Sequence, residues 1–110
     1  MPFYRPSEMP TVEIIPGCYT RLISGEHVML SVLDMPKGSV LPEHSHPHEQ
    51  AGMVLEGRLS LTIDGEERVL HPGEAYLVPG NVHHSGYVVD EDVKVLDVFS
   101  PPREDYLSQS

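Results

Sequence analysis

Tryptophan is absent from this 110-residue chain, phenylalanine occurs twice, and cysteine occurs once, as Cys18. A single cysteine excludes an intramolecular disulfide and fits a reducing compartment. The fold must then rest on its core alone, which this length allows for one domain but not for two. No apolar stretch approaches the roughly 20 residues of a membrane helix. The N-terminal MPFYRPSEMP has no basic segment followed by an apolar run. No signal peptide, no membrane partner and a cytoplasmic location are therefore expected. Positive charge is also scarce, with 7 Lys and Arg against 17 Asp and Glu and a net charge of -10. Without a basic cluster, nucleic acid is excluded as a partner. An anionic small molecule would need a local positive centre.

Turn formers are abundant, with 11 prolines and 9 glycines. They leave segments too short for long helices and suited to many strands. The first ten residues carry three prolines and read as an extended arm. Strands are expected over 11–15, 19–24, 27–35, 50–56, 66–70, 75–78, 85–89 and 93–99. The clearest local signal is RLSLTI. There Leu59, Leu61 and Ile63 face one side and Arg58, Ser60 and Thr62 the other. Asp64-Gly65 follows as a two-residue turn of the type I′ kind. Pro101-Pro102 stops the last strand, and residues 103–107 suit one helical turn. About nine or ten short strands at regular spacing predict one all-β domain over residues 1–110, a sandwich or barrel.

HSHPHEQAGMVLEG, residues 44–57, places three histidines, a glutamate and a glutamine within seven positions. Alternate residues of an extended chain share a face. His44, His46 and Gln50 therefore agree in parity, and Glu49 is opposite. Pro47 bends the chain between them, so parity leaves both Glu49 and Gln50 open as ligands. His83-His84 follows PGN in a distant turn. Imidazoles from the two segments could close on a divalent ion, and imidazole suits zinc, nickel, copper and iron alike. His27, His48, His71 and His83 are read as ordinary surface or loop histidines.

These residues resemble the cupin family. Its first motif is glycine, five residues, HxH, three or four residues, an acidic residue, six residues and glycine. Gly38, His44, His46 and Gly57 fit it, with Gln50 at the acidic position. The second motif is glycine, five residues, proline, one residue, glycine, two residues and histidine. Gly73, Pro79 and His84 fit it. Gly80 comes one place early, with Asn81 in its slot, and Val88 replaces an asparagine. The resemblance implies a conical antiparallel β-barrel of the jelly-roll type, with a metal ion held by His44, His46, Gln50 and His84. It does not distinguish zinc, nickel, iron, manganese and copper. It also implies a homodimer, for which the proline-rich arm is one available contact. Three imidazoles and an amide are all neutral, so they leave the full charge on the ion and favour a strong Lewis acid.

VKVLDVFSPPREDYL, residues 93–107, puts Asp97 on an otherwise apolar face with Val93, Val95 and Phe99. A buried carboxylate is costly unless it is partnered. Asp97 is therefore either a structural hydrogen-bonding group or a general acid-base beside the metal. Arg103, stiffened in its path by two prolines, is a solvated charge unless it folds over the barrel mouth, where its fork could clamp a carboxylate. Tyr76 and Tyr87 read as plain strand residues. HPHEQ and the spacing of Asp97, Phe99 and Arg103 resemble a pectin-degradation subgroup of the cupins. That resemblance implies conversion of cyclic 4,5-unsaturated uronates, from pectin or alginate, into their linear keto form. Asp97 and Arg103 would be catalytic, Phe99 and Arg103 would bind substrate, and Phe99 would pack on the sugar's apolar face. The alternatives are a cupin dioxygenase using iron or copper, and a non-catalytic cupin that binds a small ligand.

Overall fold

The computed structural model describes residues 2–108. They form the strands β1 (Val12–Ile15), β2 (Cys18–Ser24), β3 (Met29–Met35), β4 (Val40–His44), β5 (Glu49–Glu56), β6 (Leu59–Ile63), β7 (Glu66–Leu70), β8 (Ala75–Val78), β9 (His84–Val88) and β10 (Val93–Ser100), followed by a single helical turn α1 (Glu104–Leu107). The strands make two antiparallel sheets, ordered β1-β2-β3-β10-β5-β8 and β4-β9-β6-β7. The architecture is the all-β jelly roll. Among the described residues the sheets close on each other by packing, without a hydrogen-bonded ring. No helix of the described residues is long and apolar enough to cross a membrane.

Period-2 patterning decides which side chains enter the core. In β10 Val93, Val95, Asp97 and Phe99 are buried, and in β3 Met29, Ser31, Leu33 and Met35 are. With Cys18, Val54, Leu59, Leu61, Leu70 and Val88 they fill the space between the sheets. Asp64 and Gly65 take φ of 51° and 82° at the tip of the β6–β7 hairpin, the pair of positive values a type I′ turn requires.

Three expectations shift. The strand expected from His27 starts at Met29, because Gly25 N–H bonds the Val28 carbonyl at 2.8 Å and makes 25–28 a turn. The N-terminal arm contains a 3-10 turn at Pro6–Glu8. The strand β4 was not foreseen, because Pro42 breaks the pattern of VLPEH. It is tolerated there because β4 lies at a sheet edge, where a missing N–H leaves no ladder partner stranded.

Candidate metal centre

Register assembles the histidines. β4 and β9 pair with His44 opposite His84, and a shift in their register between Leu41 and His44 brings the two imidazoles to 4.1 Å between ring centroids. His46, just beyond β4, lies 4.9 Å from His84. The potential ligand atoms of His44, His46 and His84 all fall within 4.8 Å of one another.

The hydrogen bonds orient the rings. Nδ1 of His44 lies 2.8 Å from the Pro42 carbonyl, that of His46 3.0 Å from the His48 carbonyl, and that of His84 2.9 Å from the Val82 carbonyl. A carbonyl only accepts, so each Nδ1 carries the hydrogen and each Nε2 keeps a bare lone pair. His84 Nε2 is buried with no partner. His46 Nε2 faces Gln50 Oε1 at 3.1 Å. That pairing sets two acceptors against each other unless a cation lies between them or the amide turns over. Gln50 lines one interior hollow with Asp97 and Tyr76, which puts its other end beside their oxygens. An ionised carboxylate takes the amide's N–H, which leaves Oε1 for the imidazole side. Converging lone pairs and an orphaned buried nitrogen are what a divalent ion would satisfy, so the donor set fits one.

Burial lowers the basicity of this cluster. It holds the His84 imidazole down at about 4, against the hydrogen bond to Val82 and with help from neighbouring imidazoles. His46 is lowered by burial and then by the charge of Arg103. The His84 ring therefore stays neutral, the form that binds metal, well into the acid range, and burial shifts His46 in the same direction.

Of the other predicted residues, Gln50 is buried and Glu49 is exposed. Asp97 is 5% exposed and takes a short hydrogen bond from the Tyr76 hydroxyl. Burial lifts its carboxyl to about 6, while bonds from Tyr76 and Gln50 and the charge of Arg103 restrain the rise. An interior hollow of about 30 Å³, room for one water, is lined by Gln50, Tyr76, His84 and Asp97 among others.

Arg103 does fold inward and is 8% exposed. Its Nε and Nη2 grip Asp105 at 3.0 and 2.8 Å, and its guanidinium lies 4.1 Å from the Tyr106 ring centre and 5.1 Å from that of Phe99. Burial pulls its basicity down, but Asp105 and Tyr106 outweigh it and the group is more basic than usual. Nη1 is buried and has no partner. Arg103, Tyr106, His44 and Leu41 line a surface cleft of about 280 Å³. Phe99 is only 2% exposed, closed in by His46, Arg103 and Tyr106. No open ring face is left for a sugar, so its contribution is to support the groups around it. His27, His71 and His83 are exposed, and His48 is half-buried with its carbonyl fixing His46. A larger cleft of about 610 Å³, lined by residues of β7 and β8, touches none of the three clustered histidines.

The cupin domain family matches residues 31–99. The chain belongs to the cupin family. It is 30% identical over 107 residues to the pectin degradation protein KdgF of Dickeya dadantii, a match covering 96% of this chain and 97% of that one. Among solved structures, KdgF from a Halomonas species superposes with a TM-score of 0.87 at 30% identity, covering 94% of this chain and 96% of the other. An RmlC-like cupin from Shewanella frigidimarina gives 0.89 at 28% identity and 96% coverage of both. Sequence reading passed over Tyr76, although it shares the parity of the buried Val78 and so faces inward. It also passed over Asp105 and Tyr106, whose link to Arg103 depends on the turn after Pro102.

Proposed function

We propose that the protein opens the ring of 4,5-unsaturated uronates and releases the linear keto acid. The observation that carries this reading is the grouping of one unpartnered, buried guanidinium nitrogen with a buried carboxylate and three inward imidazoles. Arg103 lines one cleft with His44 and stacks near Phe99, whose ring meets that of His46. In a chain of net charge -10, this is the local positive centre that an anionic sugar needs. The KdgF likeness over nearly the whole of both chains supports the same substrate class.

His44, His46, His84 and the Gln50 oxygen would hold the ion. A divalent ion bound there supplies Lewis acidity toward the anomeric hydroxyl or the ring oxygen. Arg103 Nη1 binds the substrate carboxylate and fixes the pose, while Asp105 keeps the rest of the fork in place. Asp97 takes the proton of the anomeric hydroxyl as the bond between the anomeric carbon and the ring oxygen breaks. It returns a proton to C4 as the enol becomes the ketone. The change is an isomerisation, so no water or oxidant is consumed. Phe99 and Tyr106 keep Arg103 stacked and the interior dry.

The proposed homodimer has an apolar face available besides the N-terminal arm. On the outside of the six-stranded sheet, Leu77, Ala51, Val98, Leu30 and Ile23 form one cross-strand row. Met53 and Leu55 are exposed beside it.

The function is tested by mixing metal-loaded protein with 4,5-unsaturated galacturonate and following the ultraviolet absorption of the conjugated acid. Decay faster than the protein-free control, with no oxygen uptake, is expected. Decay at the control rate overturns the assignment, and oxygen uptake with a phenolic substrate moves it to a dioxygenase.

A further inference from the structure

Gly52 stands between Tyr76 and Asp97 in one cross-strand row, paired with Tyr76 on β8 and with Asp97 on β10. Strands two apart in a sheet lie about 9.5 Å from each other. A direct bond between their side chains must pass over the middle strand. It does so here because Gly52 has no side chain. A Cβ at that position would run into the Tyr76 ring and hydroxyl and the Asp97 Oδ1. The phenol crosses this gap to donate to Asp97 Oδ1, and Gln50, two residues before Gly52 on the same face of β5, shares one interior hollow with both.

The amide of Gln50 has two ends of nearly equal shape and opposite hydrogen-bonding character. Its oxygen must face the imidazoles if it is to bind a cation, yet His46 Nε2 at 3.1 Å would by itself attract the NH2 end. What holds the NH2 end away is the acceptor pair behind it, the Asp97 carboxylate and the Tyr76 phenol oxygen. We propose that Tyr76, reaching through the gap left by Gly52, is a positioning residue that fixes which end of the Gln50 amide faces the three imidazoles. Gly52 is the permissive half of this device. The inference rests on the reading of His44, His46, His84 and Gln50 as metal ligands, and it is independent of the substrate.

The test uses the full chain, stripped with a chelator and titrated with cobalt(II) alone, whose visible absorption reports the number and kind of donors. Tyr76→Phe removes the hydroxyl. Gly52→Ala keeps it but displaces it. Each variant is expected to bind cobalt about 10- to 100-fold more weakly than the parent, the usual effect of losing an outer partner of a ligand. Each should also show an altered visible spectrum, and the double variant should be no weaker than the weaker single variant. Urea unfolding of the stripped proteins separates this from a loss of folding. Tyr76→Phe decides the matter, because the Cβ of Gly52→Ala meets Asp97 as well as Tyr76; if Tyr76→Phe does not fold, Tyr76→Leu takes its place. Parent-like cobalt affinity and spectrum in the folded variants, even with lowered stability, would overturn the proposal. Failure of the parent to open any uronate would leave the cobalt result standing and count only against the proposed function.

Discussion

Replacing Arg103 by lysine keeps the charge and removes the fork. In the native arrangement one guanidinium does two things at once. Two nitrogens hold Asp105 at 3.0 and 2.8 Å, and Nη1 remains for the substrate. A lysine ammonium is a single point and cannot serve both. Asp105 is 57% exposed, so losing its ion pair costs at most about 1 kcal/mol. Loss of the stack on Tyr106, with its ring centre 4.1 Å away, adds about 0.5–1 kcal/mol. Stability should fall by roughly 1–2 kcal/mol, which urea midpoints resolve. The larger effect is on substrate. A charge-assisted hydrogen bond contributes about 1.5–3 kcal/mol, so Arg103→Lys should raise KM for the unsaturated uronate roughly ten- to hundredfold. Metal content should not change. The assay is initial rate against substrate concentration by ultraviolet absorption. A lysine variant with native KM would show instead that charge alone suffices and that the fork geometry is incidental.

Asp97→Asn keeps the shape but removes the base, and turnover measured at saturating metal should drop about 10²- to 10⁴-fold; equal rates would end the acid-base role. Stripped protein should show two opposed pH slopes. His84, held at about 4 against 6.5 in the unfolded chain, takes stability away as pH falls from about 6.5 to 4. Asp97, raised to about 6 from 3.8, takes stability away as pH rises through the same window. In stripped Asp97→Asn only the histidine slope remains, so its urea midpoint should fall steadily from pH 6.5 to 4, and a flat profile would contradict the burial argument. Leu77→Glu on the outer sheet face should convert a dimer to a monomer in sedimentation equilibrium, and an unchanged dimer would shift the contact to the N-terminal arm.

Local chemistry was legible wherever it was decided within a few residues. Alternation in RLSLTI and the Asp64-Gly65 turn specify the β6–β7 hairpin without help from the rest of the chain. The HxH spacing and its distant histidine pointed to one cluster, because parity and two motifs agree on His44, His46 and His84. What could not be read is register. Nothing in VLPEH says that it is a strand, nor that a shift in its pairing with β9 sets His44 against His84. Nothing in AYLV says that Tyr76 will lie opposite a glycine and, one strand further, an aspartate. The sequence leaves Arg103 either solvated or folded over the mouth, and the structure buries it. Its partners Asp105 and Tyr106 follow from a turn whose geometry the two prolines constrain but do not spell out. Phe99 was expected to offer its ring to a sugar, and the helical turn after it covers that ring instead.

The proposed ring opening requires one divalent ion per chain, seated on His44, His46 and His84. The most direct measurement is metal analysis of protein stripped with a chelator, reloaded, and desalted, for the parent and for His84→Ala. About one equivalent is expected in the parent and a large loss in the variant. Protein that folds normally but retains no metal after reloading, or His84→Ala that retains as much as the parent, would contradict it.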